Sequence, residues 1–320
     1  MNHIQLQGTS LQVSEVCLGL SQIGLDNSVS GAFDLLDAFL DAGGNFLDSA
    51  RIYSDWEPGE HGRSERILGD YFRLRGNRDR FVLCSKGCHP RIESMDVPRV
   101  SPQAFEEDLD ATLKALGTDC IDCYLLHRDD PSVPVEVLLA AFEHARLAGK
   151  IREYGVSNWS AERIGELVRL ARQSGCRGLR IDQEMVNFGC MSHNRLADPS
   201  MRVWDRQYPE VIRDARCAVM AFSGQAGGFF HQVCGGVAPQ DANPFYNTPE
   251  NLRRARQLKR LSEQTGLSLT ALLLLYLRQA QSFQVIPIVR CQDLAELEVI
   301  KEALSHMATT VDFGGLRDFE

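Results

Sequence analysis

The sequence predicts a single-domain (β/α)8 barrel of the TIM type over residues 1–320, with a short N-terminal β-hairpin and long loops after the sixth and seventh barrel strands. Three observations carry that prediction. A short apolar strand, a polar loop and an amphipathic helix recur eight times, in units of roughly 25 to 45 residues. The first strand-to-helix turn reads LGLSQIG, without the GxGxxG signature that a doubly wound dinucleotide-binding sheet carries there. No Pro-, Gly- or Ser-rich linker divides the chain.

Two short alternating segments around Gly8 and Thr9 read as the hairpin. Barrel strands follow at 16–20, 45–49, 81–86, 120–127, 152–157, 181–186, 217–223 and 284–289, each a brief apolar run of strand length. Helical periodicity fills 31–42, 63–74, 102–116, 134–148, 160–174, 206–215, 249–280 in two pieces, and 292–304. Ser101 with Pro102, and Ser160 before Ala161, supply cap and first-turn residues. Segments 187–205 and 224–248 exceed ordinary connections and read as binding loops over the barrel mouth.

A net charge of -9 with no Lys/Arg block argues against nonspecific binding to nucleic acid or an anionic membrane, since both need clustered positive charge. The N-terminus MNHIQLQGTSLQVS lacks a basic segment followed by an apolar one, and LTALLLLYL at 269–277 is too short to span a bilayer, so a cytoplasmic protein is expected. Cys120 and Cys123 have CxxC spacing, but they share one apolar run without a second ligand pair. These cysteines, like the Cys84, Cys88 and His89 cluster, read as reduced core residues, and no metal is expected.

Asp48, Tyr53, Lys86 and His127 lie at or just beyond the ends of three successive predicted strands. In parallel α/β folds that end binds ligands. A phenol of pKa about 10 is a poor acid near neutrality unless a cation stabilises its anion, and Lys86 can provide one. Asp48 can balance and hold the ammonium, while His127 can orient a substrate oxygen. Together the four suit proton transfer to a carbonyl oxygen.

The motifs LDSARIYSDW, GRSERILG, LCSKG, YLLHRDDP, GKIREYGVSNWS and IDQEMVN, in that order and spacing, resemble the aldo-keto reductase superfamily over nearly the whole chain. The resemblance implies NADPH or, less often, NADH, and reduction of an aldehyde or ketone with Tyr53 as proton donor. It implies that Lys86 tunes Tyr53, that Asp48 pairs with Lys86, and that His127 orients the carbonyl. On the cofactor side it points to Gly19 and to Ser157, Asn158 and Gln183 for the nicotinamide carboxamide. Phe222 is the stacking ring, and Ser223, Gly224, Gln225, Gly227 and Gly228 are the amides around the pyrophosphate.

At the eighth strand the chain departs from the family pattern. In IPIVRCQDLAELEVIKEA, Arg290 is the cation left for a 2'-phosphate, and Glu298 stands where the family has asparagine. NADP is favoured by the family, yet NADH stays open. Ser21, Trp56 and Trp204 are expected at the substrate, within a mouth also holding Glu57, His61, Asp129, Arg202 and Asp205. Such a surface suits a polar, carbohydrate-like carbonyl compound. Two alternatives come from other classes: a slow nicotinamide-binding regulatory subunit, and an enzyme that retains its cofactor and epimerises its substrate.

Overall fold

The computed structural model describes residues 1–25, 28–190, 196, 198 and 200–314. β1 (His3–Gln5) and β2 (Gln12–Ser14) form the antiparallel hairpin. β3 (Cys17–Gly19), β4 (Phe46–Asp48), β5 (Val82–Gly87), β6 (Ile121–Leu126), β7 (Ile151–Ser157), β8 (Ile181–Met185), β9 (Ala218–Phe222) and β10 (Val285–Val289) run parallel and close into a barrel. Closure comes from β10 pairing back onto β3, with Ile288 opposite Cys17.

The outer helices are α1 (Val29–Asp41), α2 (Arg63–Arg75), α3 (Pro102–Leu116), α4 (Val135–Leu147), α5 (Ala161–Gln173) and α6 (Tyr208–Ala215). After β9 come a short α7 (Phe229–Cys234), then α8 (Pro249–Thr265) and α9 (Leu269–Gln279), and α10 (Leu294–Ser305) follows β10. Side-chain caps start several of them: Ser101 Oγ accepts from Ala104 N at 3.1 Å and Asp293 Oδ1 from Glu296 N at 2.9 Å. α2, α3 and α8 end on left-handed glycines, Gly76, Gly117 and Gly266, where a Cβ would be strained. The helix α7 lies inside 224–248, which reads as loop in the sequence. Six residues are too few for a detectable amphipathic period, and burial of Phe229 and Phe230 holds the helix instead. Part of 187–205 lies outside the described residues.

Alternation along the strands places the site. Cys17, Phe46, Cys84, Cys123, Ile181, Met220 and Ile286 are fully buried inside the barrel, and Leu6, Leu11 and Val13 of the hairpin plug its N-terminal end. Side chains two residues further on face the same way, one layer nearer the C-terminal mouth. Those positions are Gly19, Asp48, Lys86, Gln183, Phe222 and Ile288, with His127 four beyond Cys123. The lower layers pack; the upper layer carries polar groups.

Candidate active site

Lys86 is fully buried, and its ammonium uses all three of its hydrogens: to Asp48 Oδ2 at 2.9 Å, Ser49 O at 2.8 Å and Tyr53 Oη at 2.8 Å. Tyr53 Oη also lies 3.2 Å from Asp48 Oδ2, to which it donates. The other carboxylate oxygen, Asp48 Oδ1, accepts from Gln183 Nε2 at 2.8 Å. Behind β5, the buried Glu65 of α2 accepts from Ser85 Oγ at 2.8 Å and Thr112 Oγ1 at 2.7 Å. These bonds brace the strand that carries Lys86. The His127 ring meets Tyr53 edge-on, 5.8 Å between centroids, and His89 at 4.7 Å, and its Nδ1 is buried without a partner.

The electrostatics follow from burial. Burial works against the Lys86 ammonium, but Asp48 and Tyr53 more than offset it, so its pKa rises. For Tyr53, burial and the Asp48 carboxylate outweigh Lys86 and push the phenol above its ordinary value. Lys86 does pull that pKa down, as expected, but one lysine shared with a carboxylate cannot neutralise both the carboxylate and a phenolate, so the net shift is upward. Burial, then Arg128, His89 and Lys86, hold His127 well below the usual histidine range, so the ring is neutral at pH 7.

Tyr53 and His127 open onto a cavity of about 740 Å³, a size within the range of small-molecule and cofactor sites. Gly19, Ser21, Asp48, Ser157, Asn158, Gln183 and Phe222 line it beside them. Ser223, Gly224, Gln225, Gly227, Gly228 and Arg290 complete the sequence-predicted set on its wall. Ser223, Ala226, Gly227 and Gly228 all have left-handed φ, a curled backbone closed by Ala226 N donating to Ser223 O at 2.8 Å and Gly228 N to Gln225 O at 3.0 Å. At Gly19 a Cβ would stand 2.8 Å from Ile288 Cγ2. The volume, the amide curl, the Phe222 ring and the Ser157 to Gln183 donor set fit a nicotinamide dinucleotide. Asn158 is already engaged, donating to His127 O at 3.3 Å and Ser157 Oγ at 2.9 Å and accepting from Arg202 N at 3.2 Å.

Three expected residues lie elsewhere. Trp204 stacks on Tyr208 at 4.6 Å and sits 5.6 Å from Phe283, off the cavity wall. Trp56 is 40% exposed at the rim, its ring 6.5 Å from that of Tyr53 and outside the cavity wall. Glu298 points outward to Lys301 at 2.6 Å, while Glu296, Val299 and Ile300 line the cavity. At 3.6 residues per turn, 296, 299 and 300 share a face that 298 leaves. Asp129 pairs with Arg163 at 3.0 Å and is structural.

Arg128, Met201, His231, Thr270, Gln292 and Glu296 also line the cavity, and none was singled out from sequence. Arg128 has the look of a surface turn, yet it is 7% exposed and pairs with Asp198 at 2.9 Å. His231 sits on α7, 3.1 Å from Thr270 Oγ1, and no pattern announces that helix. Glu296 had a usable signal: with Asp293 it forms a capping pair, its Oε2 accepting from Gln292 N at 2.8 Å. Among the described residues no group of three or more metal-ligating side chains is present, and no helix is long and apolar enough to cross a membrane.

Comparison with known proteins agrees with this geometry. The chain is 30% identical to the uncharacterized oxidoreductase YrpG of Bacillus subtilis over 233 residues, 71% of this chain and 68% of that protein. It is 27% identical to the norsolorinic acid reductase stcV of Emericella nidulans over 301 residues, covering 90% and 73% of the two chains. It is 31% identical to an aryl-alcohol dehydrogenase (NADP(+)) of Phanerodontia chrysosporium over 193 residues, 54% and 48%. The pattern of the Aldo/keto reductase family matches residues 15–319, and with the barrel and its buried Asp48, Tyr53 and Lys86 cluster already in place, the chain belongs to that family of nicotinamide-dependent oxidoreductases.

Proposed function

We propose that the protein moves a hydride between NADPH or NADH and a carbonyl or alcohol carbon of a polar, carbohydrate-like substrate, with Tyr53 as general acid and base. The observation that carries this reading is Tyr53 Oη held 2.8 Å from a buried, fully bonded Lys86 ammonium at the cavity wall. A bound nicotinamide supplies the hydride. Ser157, Asn158, Gln183 and Phe222 would hold and face that ring, and the curl from Ser223 to Gly228 would take the pyrophosphate.

Tyr53 keeps its proton at neutral pH and gives it to the carbonyl oxygen as negative charge develops there. Lys86 then faces the phenolate oxygen, and its own bond to Asp48 keeps it charged throughout. The neutral His127 ring donates a hydrogen bond to the same substrate oxygen and fixes its direction. In the reverse direction the phenolate is the base, and its raised pKa makes alcohol oxidation accelerate with rising pH.

Ser21, His127 and Arg128 give the cavity near Tyr53 a polar wall, which supports hydroxylated carbonyl compounds. A second reading, an aryl carbonyl substrate, is favoured by the name of one relative, an aryl-alcohol dehydrogenase, and by the exposed Trp56 ring beside Tyr53. Following nicotinamide absorbance across sugars, keto-sugars and aromatic aldehydes separates them. Much faster turnover of the aromatic aldehydes rejects the polar substrate. Tight dinucleotide binding with no turnover of any carbonyl rejects net reduction, and the presence or absence of sugar epimerisation followed by NMR then separates the cofactor-retaining epimerase from the regulatory subunit.

A further inference from the structure

At the other end of the barrel a second cavity, of about 680 Å³, opens between the C-terminal ends of α5 and α6 and the turn leading into β8. Five arginines line it, Arg172, Arg177, Arg180, Arg213 and Arg216, with Asp214 the lone acidic side chain on the wall. In a chain of net charge -9 this is a marked local reversal. The tip of the hairpin forms another wall, because a Cβ on Gly8 would lie 3.0 Å from Arg216 O and 3.1 Å from Arg180 Cδ.

Helix C-termini attract cations, and part of the cluster does that work. Arg172 binds Asp214 Oδ2 at 2.9 Å and Asp214 O at 2.5 Å, and Arg177 pairs with Glu153 at 2.5 Å. Arg180 and Arg216 have no carboxylate partner among the described residues. The two helix ends offset about one elementary charge between them. Even leaving Arg213 aside, positive charge therefore remains in excess. Arg180 donates to Leu179 O at 3.1 Å and Arg177 O at 2.5 Å, yet its Nε is buried and has no partner. That Nε is packed against the hairpin tip at Gly8, so it is the exposed Arg216 that offers guanidinium donors open to the cavity.

We propose that this cavity binds a small anion carrying two or more phosphate groups. Guanidinium forks match phosphate oxygens two at a time, and the volume lies within the range of small-ligand sites. The remaining wall is aliphatic, with Val168, Ala171, Leu179 and Ala215, and carries no aromatic ring to stack a base. Recognition therefore rests on charge, and the ligand is an oligophosphate or a bisphosphorylated small molecule. The site lies at the end of the barrel opposite the nicotinamide cavity and does not depend on the proposed reaction.

Tripolyphosphate titrated by calorimetry into the full chain tests this, with NADH present at saturation to occupy the Ser223 to Gly228 curl. One saturable site is expected, tighter for tripolyphosphate than for pyrophosphate or inorganic phosphate and weakened steeply by added salt. Arg180→Gln with Arg216→Gln should weaken it tenfold or more, and the exposed Arg216→Gln alone should weaken it measurably without loss of fold by circular dichroism. Arg290→Ala, on the wall of the nicotinamide cavity, should leave it unchanged. Absence of a saturable site, binding that survives the double substitution in folded protein, or binding lost in Arg290→Ala would each overturn the proposal.

Discussion

Gln183 Nε2 donates to Asp48 Oδ1 at 2.8 Å, joining β8 to β4 across the mouth of the barrel. In the closed strand order these two strands lie on opposite sides, so the bond ties the expected nicotinamide side to the carboxylate that anchors Lys86. Gln183→Met keeps the volume and removes the donor. It should cost about 1.5–3 kcal/mol of stability, typical for a hydrogen bond to a charged group, and weaken dinucleotide binding. Urea unfolding and quenching of tryptophan fluorescence by the dinucleotide measure the two effects, and unchanged values for both would show the bond to be idle.

Removal of the Tyr53 hydroxyl tests the proton donor. Tyr53→Phe keeps the ring beside His127 and Lys86 and should lower kcat by roughly a hundredfold to ten-thousandfold, the usual contribution of a general acid. The dissociation constant for the dinucleotide should stay the same. A variant with kcat near the parent's would remove Tyr53 from the chemistry.

The buried ion pair should behave asymmetrically. Asp48→Asn leaves the fully buried Lys86 without its charge partner and should cost about 3–5 kcal/mol. Asp48→Asn combined with Lys86→Met removes both charges and should recover part of that loss, although activity stays absent. Thermal and urea unfolding of the three variants check this. A double variant less stable than Asp48→Asn alone would show that the pair contributes more than mutual neutralisation.

Cofactor choice should respond to two side chains of opposite sign. Arg290 and Glu296 line the same cavity, and a carboxylate repels a 2'-phosphate while an arginine attracts it. Glu296→Gln should shift the ratio of NADPH to NADH affinity toward NADPH by roughly twofold to fivefold, an effect of the size surface charges give. Arg290→Ala should shift it the other way. Titrations with both dinucleotides at two salt concentrations read the ratio, and shifts of the same sign in both variants would contradict the assignment.

A buried acidic pair makes stability depend on pH. Asp182 and Glu184 lie on the outward face of β8, and both are fully buried. Burial raises both pKa values, and the Asp182 carboxylate adds to the rise at Glu184. The folded chain therefore holds protons that the unfolded chain has released. Their contribution to stability is complete below the ordinary carboxylate range and is lost as pH rises through the raised values, by up to about 1.4 kcal/mol per pH unit and proton. Glu184→Gln should accordingly stabilise the protein at pH 8 and change little at pH 4. Melting temperatures at the two pH values decide it, and a shift independent of pH would contradict the linkage.

Most of the fold was legible because periodicity is local. Each predicted barrel strand and helix appears with its ends moved by only a few residues, since alternation and the 3.6-residue period are set within a few turns of chain. The short α7 escaped, because tertiary burial of Phe229 and Phe230 holds it and intrinsic pattern does not. At the site, strand-end position was enough to place Asp48, Tyr53 and His127 on one cavity wall, with Lys86 buried beneath them. Position along the chain said nothing about where Trp204 or Glu298 would point, and both turned to partners of their own.

By itself, then, the sequence determined the barrel, the order of its strands and the ends at which polar groups emerge. Only the tertiary structure decided that Gln183 bonds Asp48, 135 residues away, and that the Tyr53 phenol is raised rather than lowered. It also gathered arginines scattered from 172 to 216 into one cavity that no charge run announces. The physical reason is common to all three. Burial and electrostatic fields sum over neighbours in space, and a closed barrel brings together groups that no window of sequence contains.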